Sequence, residues 1–531
     1  MNESPERSSG GGMTAVLFAG LALGLLLCLL LAWLPLRVTL PRFVFEDCFY
    51  YLRVARSIVD GDGSTFDGIH PTNGYHPLWL LLSILFVWPF SPGSGAPAHL
   101  LLSSCAILHT LTAFLIYKMV NLGGNRTVAV VAALLWFFNY NVAGIAMCGL
   151  ETSLFAFFLA ATVYYYLPRR VGLSAAQSAK VGVLVGLTAL SRFDGALLGF
   201  AIAGDQLLGA LFRRERLERM AGRVIPMSAA GTAMMFPWIA WSYSISGVIF
   251  PNSGRAVHLW YSPEDHLKSG LIRGLVRIFS VHAPAMGKLY GFEPLTLLSL
   301  VVFAVFLIAL FSGREKRVVG LPFIVFVVYP LAHSLYYALY FRPYNRYLYP
   351  AHLLIFTGVS ATIGCWLLAN RNRRFVRPLG IAATALAALN MFVSSVDTWE
   401  RGTASVNTHS LHWTMFNRAL PWIKENVKPH EKIGAFNSGI YGYFSGRTVV
   451  NLDGVMNDSV IPALEERRLV PYLYSERITY IVDWESTLDN TFNVLGGVPD
   501  YRRKFVLVRT FEQPWGPYTG ARLLVLRLMD Y

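Results

Sequence analysis

The sequence has 531 residues, 54% of them hydrophobic and 14% charged, with a formal net charge of +14. Soluble domains carry about 25% charged residues, so this composition excludes an ordinary soluble enzyme and fits a multi-spanning membrane protein. The basic clusters (Arg213-Arg214-Glu215-Arg216, Arg314-Glu315-Lys316-Arg317 and Arg371–Arg374) sit at the ends of apolar segments. There they read as topology signals, and nucleic acid is not expected as a partner. Of the five cysteines, Cys28, Cys48, Cys105, Cys148 and Cys365, no two have metal-ligand spacing. Neither a disulfide framework nor a zinc site is expected.

Residues 13–36 form an apolar run long enough to span a bilayer, with no Ala-x-Ala site after it, and read as a signal anchor. Phe45 to Trp79 follows, opening on adjacent carboxylates, Glu46 and Asp47. Over 48–60, Tyr51, Leu52, Val54, Ala55, Ile58 and Val59 fall on one helical side. Arg53, Arg56 and Asp60 fall on the other, with Phe49 intruding. Such a helix is expected to lie in the membrane interface and hold Asp47 at the surface; Asp47 acting simply as its cap is the plainer reading. The loop DGDGSTFDG at 60–68 imitates the opening of an EF-hand. It has Thr65 at the sixth position and Pro71 at the twelfth, so a turn is expected, not a calcium site.

Further apolar runs sit near 76–92, 98–120, 127–147, 151–167, 179–213, 222–249, 296–312, 319–341, 349–369 and 376–395. Counting basic residues favours 76–92 as a partial entry and 180–213 as two short helices meeting at Arg192–Asp194. That model has about eleven spans, a cytoplasmic N-terminus, and the 37–75 and 250–295 loops, Phe341–Tyr347 and the tail outside. It brings Glu151, Arg192 and Asp194 to the face that holds Glu46 and Asp47. Ionisable groups at membrane depth pair with one another or line a polar cavity. Outside the helices, Arg255, Arg342 and Arg346 suit a lipid phosphate or an interfacial position. His76 lies beside the first loop, whereas His258, His282 and His333 are scattered and read as structural.

From residue 396 the pattern changes. A helix is expected at 412–426, strands at 431–437 and 448–452, a helix at 460–476, and strands at 478–483, 504–510 and 522–528. This makes a small extracytoplasmic α/β domain. It carries no Gly-x-Gly-x-x-Gly and no Walker A pattern, so no nucleotide is assigned to it.

A first helix ending in an outward acidic pair, an interfacial helix, a Gly/Pro-rich loop and many spans resemble the GT-C superfamily of membrane glycosyltransferases. So do Gly149-Leu150-Glu151-Thr152, Arg192-Phe193-Asp194-Gly195 and the late Arg346-Tyr-Leu-Tyr-Pro350. The layout is similar to protein O-mannosyltransferases and lipid A aminoarabinose transferases. The resemblance implies a polytopic α-helical module over 1–395, followed by the α/β domain over 396–531. It implies an inverting transferase that moves a sugar from a polyprenyl-phosphate donor to a glycan, lipid or protein hydroxyl at the outer face of the cytoplasmic membrane. The family's first-loop acid carries over onto Asp47, with Glu46 its neighbour, and the second acidic position onto Glu151. The named relatives commonly have aspartate at that second position. The site then takes in Arg53, His76, Arg192, Asp194, Arg255 and Arg346 for substrate. No Trp-Trp-Asp-Tyr-Gly motif is present, so transfer of a whole glycan to asparagine is not expected. A lipid phosphate leaves readily, and neither metal nor cofactor is required. Glu46 and Asp47 disfavour each other's ionisation, and which of them is the base stays open here. A transporter or flippase of a lipid-linked or polar substrate is the alternative.

Overall fold

The structure is a computed structural model. It describes residues 6–259, 322–340, 345–370, 378, 409–498 and 500–529. The apolar runs at 296–312 and 376–395, Arg342 and His282 lie outside the described residues, as does most of the 250–295 loop. The expected boundary at 395/396 does so too.

Among the described residues five helices are long and apolar enough to cross a membrane: Gly12–Ala32, Ala96–Asn121, Phe193–Phe212, Leu217–Ser246 and Arg346–Ala369. A sixth span arises if the pair Arg126–Phe138 and Tyr140–Ala146, bent by 63°, is counted as one. The bend falls at Asn139, whose side chain accepts from the N–H groups of Asn141 and Val142 and so caps the second half. The helix Pro77–Val87 has 11 residues, about 16 Å at 1.5 Å per residue, half of a hydrocarbon core. The helix is too short for a full crossing, in keeping with the short run expected at 76–92. The 179–213 run is two helices, Ala175–Ser191 and Ala196–Phe212, broken at Arg192–Gly195 as expected.

The helix Ala175–Ser191 packs closely against Leu217–Ser246 because Gly182 and Gly186 leave a groove. A Cβ on Gly182 would lie 2.0 Å from the Met227 carbonyl oxygen, and one on Gly186 2.5 Å from Met234 Cβ. This is the small-xxx-small contact of membrane helices.

The tail folds round a five-stranded sheet of order β2-β1-β3-β5-β4: β1 Lys432–Ala435, β2 Val449–Asn451, β3 Ile478–Trp484, β4 Phe505–Glu512 and β5 Arg522–Leu528. The first three strands are parallel; β5 is antiparallel to β3 and β4. All five strands sit where the sequence pattern placed them. The expected 460–476 helix is instead two pieces, Ile461–Glu465 and Leu469–Ser475, because Arg467 between them is left-handed (φ 55°). Two helices, Gly439–Phe444 and Glu485–Leu495, were not expected.

The Asp47–Asp60 helix differs most from expectation. It is buried on both sides: Cys48, Phe49, Tyr50, Tyr51, Leu52, Val54, Ala55 and Ser57 are all inaccessible. One side packs on Trp79, Leu101 and Leu102 of the membrane helices. Phe49, the apolar intruder on the charged side, stacks against Tyr443 and Phe444 of the tail at 5.9 and 5.0 Å between ring centres. The helix is therefore an internal layer between membrane helices and tail, not a strip facing lipid headgroups.

Candidate active site

Two hydrogen bonds onto the main chain of Cys148 and Gly149 hold the segment around Asp47. Phe45 N–H donates to Cys148 O at 3.0 Å, and Trp79 Nε1 donates to Gly149 O at 3.2 Å. Gly149 has φ +81°, and a Cβ there would sit 3.0 Å from Cys48 Sγ. Glycine is thus required both by the left-handed conformation and by the close approach. This turn carries Glu151 to the Asp47 helix. Tyr51 donates to Glu151 Oε2 at 3.1 Å and its oxygen accepts from the His76 N–H at 3.3 Å. The His76 ring nitrogen Nε2 lies 3.9 Å from Glu151 Oε1. Burial pushes the His76 imidazole below its usual range, with Glu151 opposing that.

Arg346 reaches Asp47 from the far end of the sequence. It lies in the first turn of Asn345–Ala369. Its Nη1 donates to Asp47 Oδ2 at 3.0 Å and its Nη2 to the Tyr347 hydroxyl at 3.0 Å. The guanidinium also stacks over Phe45 and Tyr347, 5.2 and 4.9 Å from the ring centres. Asp47 is 39% exposed and Arg346 17%, so this pair faces open space.

Arg192 and Asp194 form a different unit, directly beneath. Arg192, 2% exposed, donates through Nε and Nη2 to both oxygens of Asp194 at 3.2 and 2.8 Å. Its Nη2 also reaches the Tyr337 hydroxyl at 2.8 Å, and Nη1 the Arg346 carbonyl at 3.1 Å. Asp194 Oδ2 is further bonded to His333 Nε2 at 2.8 Å and Tyr337 at 2.9 Å. Tyr337 stacks flat on Tyr347, at 4.8 Å and 5°. These groups are consumed by one another, and their outlet is the Arg346 backbone.

Glu46 faces the opposite way. It is 5% exposed, and its Oε1 accepts from the Ile440 N–H at 3.4 Å. A Cβ on Gly439 would lie 2.6 Å from the Glu46 carbonyl oxygen, so the tail helix Gly439–Phe444 rests on this residue. Burial pushes Glu46 well above the usual carboxylate range, with Asp483 and Asp47 adding to it.

The tail turns the carboxyl ends of its parallel strands towards the site. Tyr50 donates to Phe436 O at 3.1 Å, just after β1. Asp483, in β3, accepts from the N–H groups of Phe436 and Asn437 at 2.8 Å each. Asp453, just after β2, is raised by burial to about 7, with Asp47 and Asp483 contributing.

Two expected residues lie elsewhere. Arg255 is bound through Nε and Nη2 to both oxygens of Glu465 in the tail, at 2.7 and 2.6 Å. It belongs to a joint in which Asn252 and Thr72 both bond Asp458. Arg53 faces the acidic loop after its own helix, with Asp62, Asp60 and Asp67 as its charged neighbours. That loop is closed on itself by Ser64 Oγ donating to Thr72 O at 2.7 Å and by a bridge between Thr65 and Pro71. Sequence reasoning gave no site role to Tyr51, Tyr337 or Tyr347; tyrosines are plentiful here (26 in all), and although Tyr347 lies within the 346–350 motif, no spacing links the three. Among the described residues no three His, Cys, Asp or Glu side chains converge as a metal's ligands would.

The fold so assembled is shared with solved structures of ArnT and of an archaeal oligosaccharyltransferase. A structure of ArnT from Cupriavidus metallidurans bound to undecaprenyl phosphate superposes with a TM-score of 0.56 and 12% identity, over 96% of this chain and 98% of that one. The oligosaccharyltransferase of Archaeoglobus fulgidus in the apo form gives 0.54 and 14%, over 94% of this chain and 74% of that one. Its complex with an inhibitory peptide and a dolichol-phosphate gives 0.54 and 15%, over 95% and 74%. At this identity the likeness is one of fold. Residues 406–526 match a family described as a domain of unknown function, DUF8728. No curated protein matches the sequence.

Proposed function

We propose that the chain is an inverting glycosyltransferase that uses a polyprenyl-phosphate sugar and an acceptor hydroxyl at the outer face of the cytoplasmic membrane, with Asp47 as general base. The observation that carries this reading is the pairing of an exposed carboxylate, Asp47, with Arg346 at 3.0 Å at the head of a membrane helix. It supplies a base and a phosphate-binding cation side by side, in a fold shared with transferases. In the reaction, Asp47 takes the proton of the acceptor hydroxyl. That oxygen forms the new bond to the anomeric carbon. The bond from carbon to phosphate oxygen breaks on the opposite face, and its electron pair leaves with the lipid phosphate. General-base help of this kind is typically worth 10²–10⁴-fold, and Arg346 meets the charge growing on the leaving phosphate.

Glu46 is not the base in this reading, because burial under the tail holds it towards its neutral form. Glu151, held by Tyr51, keeps His76 and the first loop in register beside Asp47. Arg192 and Asp194 position Arg346 rather than touch substrate. The fold neighbours are transferases, which leaves the transporter reading without support. The test replaces Asp47 with Asn and follows transfer from lipid-linked sugar in membranes holding equal amounts of protein. Loss of transfer is expected; full activity in the folded variant overturns the assignment.

A further inference from the structure

Arg346 serves two masters in this geometry. The lipid-phosphate role proposed above needs its guanidinium, yet one N–H of that group is already committed to Asp47 Oδ2 at 3.0 Å. A carboxylate bonded to a guanidinium is a poorer proton acceptor than a free one, since the cation favours its charged form. The Oδ2 that accepts from Arg346 is not free to receive the acceptor's proton while that bond stands. The surroundings show which partner is able to move. The Arg346 main chain is fixed by Arg192 at 3.1 Å, and Arg192 is itself locked by Asp194 and Tyr337. The side chain, by contrast, lies against the Phe45 and Tyr347 rings, 5.2 and 4.9 Å from their centres, with Nη2 on the Tyr347 hydroxyl, and among the described residues only Asp47 engages Nη1. Stacking of this type holds a guanidinium in a plane without fixing its hydrogen-bond partner. Arg346 also sits in the first turn of a 25-residue helix. A cation is the wrong sign for that end of the helix dipole, and an anion the right one.

We propose that Arg346 is a substrate-operated latch on the base: it pairs with Asp47 until the phosphate of the lipid-linked donor competes for the guanidinium, and that exchange frees the Asp47 carboxylate to receive the acceptor's proton. The inference rests on the function proposed above and adds the order of events. The base becomes competent only once the donor phosphate is seated. No proton or covalent bond changes hands in the exchange; one charge-assisted hydrogen bond to Arg346 replaces another.

The test measures affinity for undecaprenyl phosphate, without any sugar, on the full chain in detergent or nanodiscs. Removing the competitor by Asp47→Asn is expected to tighten binding roughly three- to tenfold, the range of a half-exposed ion pair. Arg346→Gln is expected to weaken binding at least about tenfold. In the Arg346→Gln background, Asp47→Asn is expected to change nothing further. An equal gain in both backgrounds would mean simple charge removal and overturns the latch, as does no gain at all. If Asp47→Asn does not accumulate, the unaltered protein gives a second readout. Labelling of Asp47 by a water-soluble carbodiimide, followed by mass spectrometry, is expected to speed up when undecaprenyl phosphate is added, and protection overturns the proposal. A silent Asp47→Asn enzyme with unchanged lipid affinity sinks the latch and leaves the base assignment standing. An active Asp47→Asn enzyme sinks the base assignment instead.

Discussion

Arg192 donates from Nη1 to the main-chain carbonyl of Arg346 at 3.1 Å, so a buried ion pair is wired to the backbone of the arginine that, among the described residues, pairs with Asp47. That connection explains why charges at 192 and 194 are kept where burial is costly. Breaking a buried pair by removing one partner costs about 3–5 kcal/mol, because the other charge is stranded. Arg192→Met is therefore expected to lower the melting temperature markedly and to abolish transfer. Asp194→Asn keeps the acceptor towards His333 and Tyr337 and is expected to be milder on both counts. Thermal unfolding in detergent, read alongside transfer, checks the ranking. Equal stability of the two variants would contradict it.

The turn before Glu151 offers a second check. Gly149→Ala adds strain at φ +81° and a contact of 3.0 Å with Cys48 Sγ. An alanine forced into this region costs about 1–2 kcal/mol. Cys48 adjoins Asp47, so the added methyl pushes on the base's own helix. Transfer is expected to fall at least about tenfold, as small misplacements of a reacting group do, while most of the protein still folds. Gly144→Ala, with nothing within 4 Å of the added Cβ, is the control and is expected to be active. Steady-state transfer at matched protein levels decides it.

Docking of the tail on the first loop is expected to depend on pH. His70 bridges the two: Nδ1 lies 2.7 Å from Asp67 Oδ2 in the loop, and Nε2 3.3 Å from Glu476 Oε1 in the tail. Lys432 adds a second contact to Glu476 at 3.6 Å, and Tyr472 lies near both carboxylates. The hydrogen bond to Asp67 is the main reason His70 is raised above its ordinary 6.5, against an opposing contribution from burial. A raised imidazole contributes stability that is complete below about pH 6.5 and is lost as pH climbs through the higher folded value. Asp67 is depressed from its ordinary 3.8, with the bonds from His70 outweighing burial. Its share is present above about pH 4 and is lost as pH falls through the lower folded value. Protection of the amides at residues 65–72 and 474–478, relative to their intrinsic exchange rates at each pH, is therefore expected to be greatest near pH 5–6 and to fall by pH 8.5. His70→Gln is expected to flatten the alkaline side of that profile; an unchanged profile refutes the bridge.

Much of this fold is legible along the chain. The interruption at Ser191–Gly195 announced two helices because no single span accommodates Arg192 and Asp194, and the five tail strands follow from short β-branched runs between turns. The site is legible only in part. Glu46 and Asp47 stand out as carboxylates after an apolar run, but the partner of Asp47 is 299 residues away, and no local pattern connects them. The helix Gly439–Phe444, GIYGYF, is too short for helical periodicity and rich in glycine and aromatics. The roof over Glu46 was invisible for that reason. The same roof turned the Asp47–Asp60 helix from an interfacial strip into a buried layer, since an amphipathic pattern does not say whether lipid or protein meets its second face. Arg255 shows the converse error. An arginine near a membrane suits phosphate and carboxylate equally well, and the carboxylate of Glu465 has it.

The adjacent acids can be told apart by paired amide substitutions. Glu46 lies 5% exposed beneath Gly439 and Ile440, and burial there pushes it well above the usual carboxylate range, with Asp483 and Asp47 adding repulsion. A carboxyl held neutral resembles an amide in shape and hydrogen bonding. Glu46→Gln keeps the oxygen that accepts from Ile440 and replaces a carboxyl that burial pushes towards its neutral form. It is expected to leave transfer within about threefold and the tail docked. Glu46→Ala removes that acceptor and opens a gap under the tail, and is expected to destabilise the protein by about 1–3 kcal/mol. Asp47→Asn, by contrast, removes a carboxylate that faces open space and is expected to cost about 10²–10⁴-fold in transfer. The physical difference lies in where each carboxyl points: Glu46 supports the roof and Asp47 is partly exposed. Measuring both amide variants in the same membranes settles the division of labour. Should Glu46→Gln be the dead enzyme and Asp47→Asn the active one, the base is Glu46, and the Arg346 contact has another purpose.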